Sequence, residues 1–258
     1  MSNISAKWAL ITGASAGIGK AIAIRLAKDG CNLIITARRK EKLQELKESI
    51  KKNYNVKVLV IELDVKSNDS VLKMQRELER EAIVPNFLIN NAGLAMGLDP
   101  IQSGEIYRWE AMIDTNLKGL LYVTRAILPK MVERGDGHVI NIGSTAGWQT
   151  YPGGNVYNAT KFGVRALSDA MSLDLVNTDV KVSCVAPGSC ETDFTLVRFE
   201  GDKARSDALY GSYKSLEPED IADMIAYILN APKHVNIPYV RIMATSQRNS
   251  YVIRKNTK

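Results

Sequence analysis

The amino-acid sequence predicts an α/β protein, one domain over residues 1–258, built on a parallel sheet. Short runs of β-branched and apolar residues alternate with amphipathic stretches from one end of the chain to the other, the pattern of successive strand–helix–strand units. A glycine-rich turn, Thr12-Gly13-Ala14-Ser15-Ala16-Gly17-Ile18-Gly19, stands where the first strand gives way to the first helix, and no linker, repeat or low-complexity segment divides the sequence.

Lys7–Thr12 reads as the first strand and Gly17–Lys28 as the helix after it. Asn32–Ala37 is a second strand, followed by an amphipathic helix over Glu41–Lys52. Val56–Ile61 and Asn86–Asn90 give two further strands, separated by a helix that starts near Ser67, a cap-type residue. A long helix is expected from about Asn116 to Glu133, then the strand His138–Ile142, a helix from about Gly154 to Val176 and the strand Val180–Val185. After Pro187-Gly188 the pattern gives way to Gly, Asp and Ser as far as Ser215, which reads as an irregular, mobile lid over a site at about 188–215. A helix at Pro218–Leu229 and a strand at Pro238–Met243 follow. The end of the chain, about 249–258, closes on the basic Arg254-Lys255-Asn256-Thr257-Lys258 and reads as a disordered tail.

Composition narrows the function classes. The formal charge of +6 comes from 34 Lys and Arg set against 28 Asp and Glu, interleaved rather than gathered, so the footprint of a nucleic-acid binder is missing. Cys31, Cys184 and Cys190 form no Cys-x-x-Cys, and with only His138 and His234 no metal site or disulfide framework is expected. The first residues lack the basic-then-apolar pattern of a secretion signal, and the apolar run Trp8–Thr12 is far too short to cross a bilayer. The expectation is a soluble, cytoplasmic protein with no membrane or nucleic-acid partner.

The glycine turn points to a nucleotide. Gly13, Gly17 and Gly19 let the backbone approach a pyrophosphate, and the helix opening at Gly17 and Ile18 offers unpaired N–H groups at its positive end. The spacing Gly-x-x-x-Gly-x-Gly departs from the better-known dinucleotide fingerprint, and taken alone it also fits a tight turn without a ligand. The end of the second strand sharpens the reading: an acid there would accept from a free ribose 2′-hydroxyl, whereas a cation suits a 2′-phosphate. The sequence has Ala37-Arg38-Arg39 and no carboxylate, which favours NADP over NAD, with Ser15 as a further donor; a basic helix start on a solvated face is the plainer alternative. Asp64 and Val65 at the end of the third strand, and Asn91, Ala92 and Gly93 at the end of the fourth, lie where ligands bind in open α/β sheets.

Tyr157 and Lys161 are four apart on an expected helix and share a face, and Ser144 precedes them at the end of the strand His138–Ile142. Moving a hydride to or from a carbinol carbon needs a hydroxyl that trades a proton near neutrality. A free tyrosine, with a pKa of about 10, does this poorly, and a neighbouring ammonium together with the nicotinamide's own positive charge would favour the phenolate. Ser144 would hold the substrate oxygen, Lys161 the nicotinamide ribose, and Asn116 a water leading from Lys161 to solvent.

Taken in order, Thr-Gly-x-x-x-Gly-Ile-Gly, Asn-Asn-Ala-Gly, the Asn116 segment, Ser144, Tyr157-x-x-x-Lys161 and Pro187-Gly188 resemble the short-chain dehydrogenase/reductase family over essentially the whole chain. The resemblance implies a Rossmann-type, doubly wound parallel sheet of about seven strands with helices on both faces, and a homotetramer, or a dimer, joined partly through paired long helices. It makes Asn116, Ser144, Tyr157 and Lys161 a catalytic tetrad, with Pro187, Gly188 and Thr192 on the nicotinamide side. Within the family, Ala37-Arg38-Arg39, Tyr151-Pro152-Gly153-Gly154-Asn155-Val156-Tyr157, Leu196-Val197-Arg198-Phe199 and Ala244-Thr245-Ser246-Gln247 look most like the NADP-dependent 3-hydroxy acid dehydrogenases. A broader carbonyl or 3-oxoacyl-type reductase is the neighbouring alternative, and a non-catalytic nucleotide-sensing or nucleic-acid-binding protein the remote one, which would be marked by loss of Tyr157 or Lys161. Asn158 departs from the small residue expected after the tyrosine. A 3-hydroxy acid needs its carboxylate neutralised, for which Arg198 and the backbone N–H groups near Gly153, Gly154 and Asn155 are candidates, although Arg198 also reads as a solvated loop cation.

Overall fold

The structure is a computed structural model and describes residues 3–205, 213–249 and 251–254. Its centre is one seven-stranded, all-parallel sheet of order β3-β2-β1-β4-β5-β6-β7. The strands are β1 (Trp8–Thr12), β2 (Asn32–Ala37), β3 (Val58–Glu62), β4 (Phe87–Asn90), β5 (Gly137–Ile142), β6 (Val180–Pro187) and β7 (Tyr239–Ile242). The order reverses between β1 and β4, so the connections leaving these two strands diverge and open a crevice beyond their carboxyl ends.

Both faces of the sheet are buried, and β2 shows how the sequence encodes this. Leu33 and Ile35 point to a core shared with α1 (Gly17–Lys28), α2 (Lys40–Asn53) and α8 (Pro218–Asn230), while Ile34 between them points to a second core. That second core is completed by α3 (Asn68–Arg80), α5 (Leu120–Arg134) and α6 (Asn155–Asp174). Successive side chains of a strand alternate between faces, so a strand covered on both sides reads as an unbroken apolar run. Ser67 caps α3 by accepting from the Ser70 N–H at 3.2 Å, as its position in the sequence suggests.

Three expectations need correction. The helix expected from Asn116 begins ten residues earlier as α4 (Ile106–Ile113) and passes through a π-helical turn at Asp114–Gly119 into α5. Asn116 and Gly119 look like an entry signal, but they are the widened turn of a helix already under way. The segment 188–215 is not irregular throughout, since Phe194–Arg198 form the short helix α7; residues 206–212 of that expectation lie outside the described residues. The tail expected from about 249 folds back on itself, with Gln247 bridged antiparallel to Ile253 and the Arg254 N–H donating to the Ser246 carbonyl at 2.9 Å; residues 250 and 255–258 lie outside the described residues.

A buried polar ladder crosses the second core. The Asn90 amide on β4 donates to Thr124 Oγ1 on α5 at 3.0 Å and to Asn141 Oδ1 on β5 at 2.9 Å, and Asn141 in turn donates to Ser168 Oγ on α6 at 2.9 Å. These bonds fix the two long helices against the ends of β4 and β5, which is where the functional side chains emerge.

Candidate active site

A cavity of about 450 Å³ lies beyond the carboxyl ends of β1, β4, β5 and β6. Its floor is the glycine turn. Gly13 has φ +66°, a conformation that disfavours a side chain, and a Cβ on Gly19 would stand 2.5 Å from the Gly13 carbonyl oxygen and from Asn91 Nδ2. The turn is pinned by Thr12, whose hydroxyl oxygen accepts from the Asn91 and Ala92 N–H groups at 3.0 and 2.9 Å, while Asn91 Nδ2 donates back to the Thr12 carbonyl at 2.8 Å. The end of β4 is thereby clamped to the end of β1, and Gly13, Ser15, Gly17, Ile18, Gly19, Asn91, Ala92 and Gly93 line one continuous wall.

At the far end of that wall Arg39, not Arg38, lines the cavity, and Arg39 Nη2 donates to Ser15 Oγ at 3.0 Å. Asp64 and Val65 do not line it. The Asp64 carboxylate accepts from the Lys66 N–H at 3.1 Å in the turn that leads to α3, and Val65 packs against Gly119, where a Cβ would meet Val65 Cγ2 at 2.7 Å. Both are structural supports of the π turn and of the entry to α3.

Tyr157 and Lys161 share the face of α6 that abuts the end of β5, and both are buried. Lys161 Nζ donates to the Ile142 carbonyl at 2.8 Å and lies 5.9 Å from the centre of the Tyr157 ring. Ser144, two residues beyond β5, hydrogen-bonds the Tyr157 phenol. Asn116 does not face the cavity directly: its carbonyl oxygen accepts from the Leu94 N–H at 2.9 Å, and its amide donates to the Leu94 carbonyl at 2.8 Å and to Thr160 Oγ1 at 3.0 Å. The π turn thus fastens the loop after β4 to α6 one residue before Lys161.

The electrostatics differ from the Lys161 part of the expectation that the ammonium and the nicotinamide charge together make the phenol acidic. Burial raises the Tyr157 pKa, and the groups that pull it back are Arg198, whose guanidinium stands 5.0 Å from the ring centre, and then Ser144. Burial also brings the Lys161 ammonium down to about 8. With its ammonium turned to the Ile142 carbonyl, Lys161 serves the phenol less than distance along the helix suggests, and desolvation dominates both groups.

Arg198 enters the cavity from α7. Its Nη2 donates to the Tyr151 hydroxyl at 2.8 Å, it stacks 5.5 Å from the Phe194 ring, and its Nε is buried without a partner among the described residues. Pro187, Gly188 and Thr192 line the same side, and the loop they belong to is held by Gln247, whose Oε1 accepts from the Ser189 N–H at 2.9 Å. Gly153, Gly154 and Asn155 are not part of the lining. The Gly154 N–H is spent on the Tyr151 carbonyl at 3.1 Å, Asn155 Nδ2 on the Asp99 carbonyl at 2.8 Å, and Gly153 packs on the Leu98 carbonyl. Asn158 is buried and donates to the Tyr151 carbonyl at 3.4 Å, tying α6 to the turn before it. Leu98, Tyr151, Phe194 and Val197 form an apolar and aromatic wall; the Tyr151-Pro152-Gly153 and Leu196-Val197-Arg198-Phe199 segments are its signals in the sequence, whereas Leu98 in the loop after β4 and Phe194 at the start of α7 carry none.

An ammonium held in the folded state with a pKa near 8 rather than 10.5 costs stability. The unfolded chain binds more protons than the folded one between these values, so this group's penalty is full below about pH 8 and fades as the pH rises toward 10.5. Replacing Lys161 by Met should therefore stabilise the ligand-free protein at pH 7 by about 2–3 kcal/mol, after allowance for the lost hydrogen bond. Urea unfolding at pH 7 and pH 10 checks this; a variant less stable than the parent at pH 7, or a gain that does not shrink at pH 10, contradicts it.

The chain is similar to known proteins over nearly its whole length. Over 239 residues the chain is 45% identical to the NADP-dependent 3-hydroxy acid dehydrogenase YdfG of Salmonella typhi, covering 92% of this chain and 95% of that one. It is 44% identical to sulfoacetaldehyde reductase 2 of Chromohalobacter salexigens, covering 92% and 94%. Among solved structures, the closed form of serine dehydrogenase complexed with NADP+ superposes with a TM-score of 0.90 at 41% identity, covering 97% of this chain and 100% of that one. The profile of the short chain dehydrogenase family matches residues 7–203, and the chain belongs to that family.

Proposed function

We propose that this protein is an NADP-dependent oxidoreductase that interconverts the hydroxyl and the carbonyl of a small 3-hydroxy acid. The observation that carries this reading is the Tyr157 phenol, buried between Ser144 and the Arg198 guanidinium in the same cavity as the glycine turn and Arg39. The similar proteins described as NADP-dependent 3-hydroxy acid dehydrogenases and as serine dehydrogenase with NADP+ support it, and so does a relative named for another small anionic substrate, sulfoacetaldehyde.

The residues present fit the cofactor. The backbone cradle at Gly13 and Gly19 is one that a side chain would fill, and α1 opens beside it with no side-chain cap on its first N–H groups, which suits a pyrophosphate. Arg39 and Ser15 stand together at the adenosine end, where a 2′-phosphate would find a guanidinium and a hydroxyl. When bound, NADP supplies the hydride acceptor or donor. Ser144 donates to the substrate oxygen, and Tyr157 gives its proton to a carbonyl on reduction or, as the phenolate that neighbouring positive charge favours, takes the proton from a hydroxyl on oxidation. Lys161 holds the cofactor ribose, and Asn116 keeps Leu94 and α6 in register rather than facing the reacting atoms. Arg198 supplies the partner for a carboxylate: its unpartnered buried Nε would be satisfied by an anion in a way that a neutral substrate does not match.

We further infer that the chain works as a homotetramer. Leu121 on α5, Phe162 and Leu173 on α6 and Val176 just beyond it are exposed apolar side chains on the two long helices, which the protein alone leaves unburied. Sedimentation equilibrium should return four times the 28.5 kDa of one chain; a monomeric mass contradicts the assembly.

Replacing Tyr157 by Phe should lower kcat for 3-hydroxypropionate or serine by about 10²–10⁴-fold, the range of a general acid–base group, while NADP titrated by protein fluorescence still binds. Retention of turnover would remove the phenol from the reaction. Replacing Arg39 by Ala should weaken NADP binding by roughly 10–100-fold and leave NAD binding nearly unchanged, since a charged hydrogen bond to phosphate is worth about 1.5–3 kcal/mol. An equal loss for both cofactors would show that Arg39 does not read the 2′-phosphate.

A further inference from the structure

Arg198 ends a short element. α7 has five residues, Phe194–Arg198, with only the Phe194 N–H capped, by Thr192 Oγ1 at 3.2 Å, and it is followed by Glu200 at φ +51° and Gly201 at φ +95°. A helix this short is not stable by itself, so the direction of the Arg198 side chain must be set from outside. Besides its ring contacts with Tyr157 and Phe194, Arg198 has two direct hydrogen bonds: its carbonyl accepts from the Gly97 N–H at 2.9 Å, and its Nη2 donates to the Tyr151 hydroxyl.

Behind both stands Arg108 on α4. Its Nη1 donates to Asp99 Oδ2 at 2.8 Å, its Nη2 to Glu200 Oε2 at 2.6 Å and its Nε to the Tyr107 hydroxyl at 3.0 Å, and Tyr107 in turn donates to Glu200 Oε1 at 2.8 Å. One planar fork therefore joins the loop that carries Gly97 to the turn two residues past Arg198, a geometry that a lysine does not reproduce. The clasp closes over Gly97 itself, at φ +69°, where a Cβ would meet Asp99 Oδ2 at 2.6 Å and Arg108 Nη1 at 3.1 Å. Asp99 is also anchored through its carbonyl to Asn155 at the start of the helix that bears Tyr157.

From this we propose that Arg108, which does not line the cavity, is a positioning residue that fixes the substrate-side guanidinium of Arg198 by clasping Asp99 and Glu200. The proposal rests on the reading of Arg198 as the carboxylate anchor and adds to it how that anchor is held. The Arg108 side chain is 22% exposed and its partners are 39% and 41% exposed. Ion pairs this accessible contribute little to the stability of a whole fold, but a five-residue helix with few contacts of its own is the kind of segment whose local placement they decide.

The test compares Arg108→Gln with the parent at saturating NADP, using 3-hydroxypropionate and the neutral 1,3-propanediol. KM for 3-hydroxypropionate should rise about tenfold with kcat held within about threefold, while KM for the diol, the Kd for NADP and Tm stay close to the parent values. A rise shared equally by acid and diol, or no rise for the acid, overturns the proposal. Glu200→Gln should give a smaller change of the same kind, and it decides the matter by the same comparison if Arg108→Gln does not fold. Arg198→Ala separates the two layers. If it leaves KM for 3-hydroxypropionate unchanged, the anchor reading itself is wrong; if it raises KM while both clasp variants do not, only the positioning role is lost.

Discussion

The site depends on one costly arrangement, an ammonium and a phenol brought out of water side by side at the end of β5. Lys161 reaches its position with a single hydrogen bond, to the Ile142 carbonyl, and burial alone pulls its pKa toward neutrality. Tyr157 is pushed the other way by the same desolvation, so its hydroxyl stays protonated and available as a donor. Neither group is stabilised where it sits. The surrounding structure must impose the geometry, and the buried polar ladder from Asn90 through Asn141 to Ser168 is the part of the core that does so.

This explains the division of labour around the cavity. The nucleotide wall is rigid because backbone and a single threonine build it: Thr12 ties the ends of β1 and β4 together, and the glycine turn leaves no room for side chains. The substrate wall is assembled from loops and the short α7, and its shape is decided by side chains that reach across them, Arg198 to Tyr151 and Arg108 to Glu200. A fold that serves many chemistries would be expected to vary the second wall and keep the first.

Arg198 links the two halves electrostatically as well. Its guanidinium stands 5.0 Å from the centre of the Tyr157 ring, nearer than the Lys161 ammonium at 5.9 Å, and it lines the same cavity. A carboxylate bound there would neutralise part of the charge that pulls the phenol down, so substrate binding and the acidity of the proton carrier are coupled through one guanidinium.

By itself the sequence determined the sheet, the helices packed on it and the phosphate-binding turn, because each is written in short-range periodicity: apolar runs where β2 is covered on both faces, Ser67 at a helix start, glycines where backbone must approach backbone. It also named the Tyr157, Lys161 and Ser144 group, since helical spacing and a strand end bring those residues together locally. Tertiary structure alone decided the rest. Which of Arg38 and Arg39 turns toward Ser15, that Val65 packs against the π turn at Gly119, and that Asn155 spends its amide on the Asp99 carbonyl all follow from contacts between segments far apart in sequence. A donor or a charge has no fixed role until the groups around it are in place, and for these residues those groups arrive only when the chain has folded.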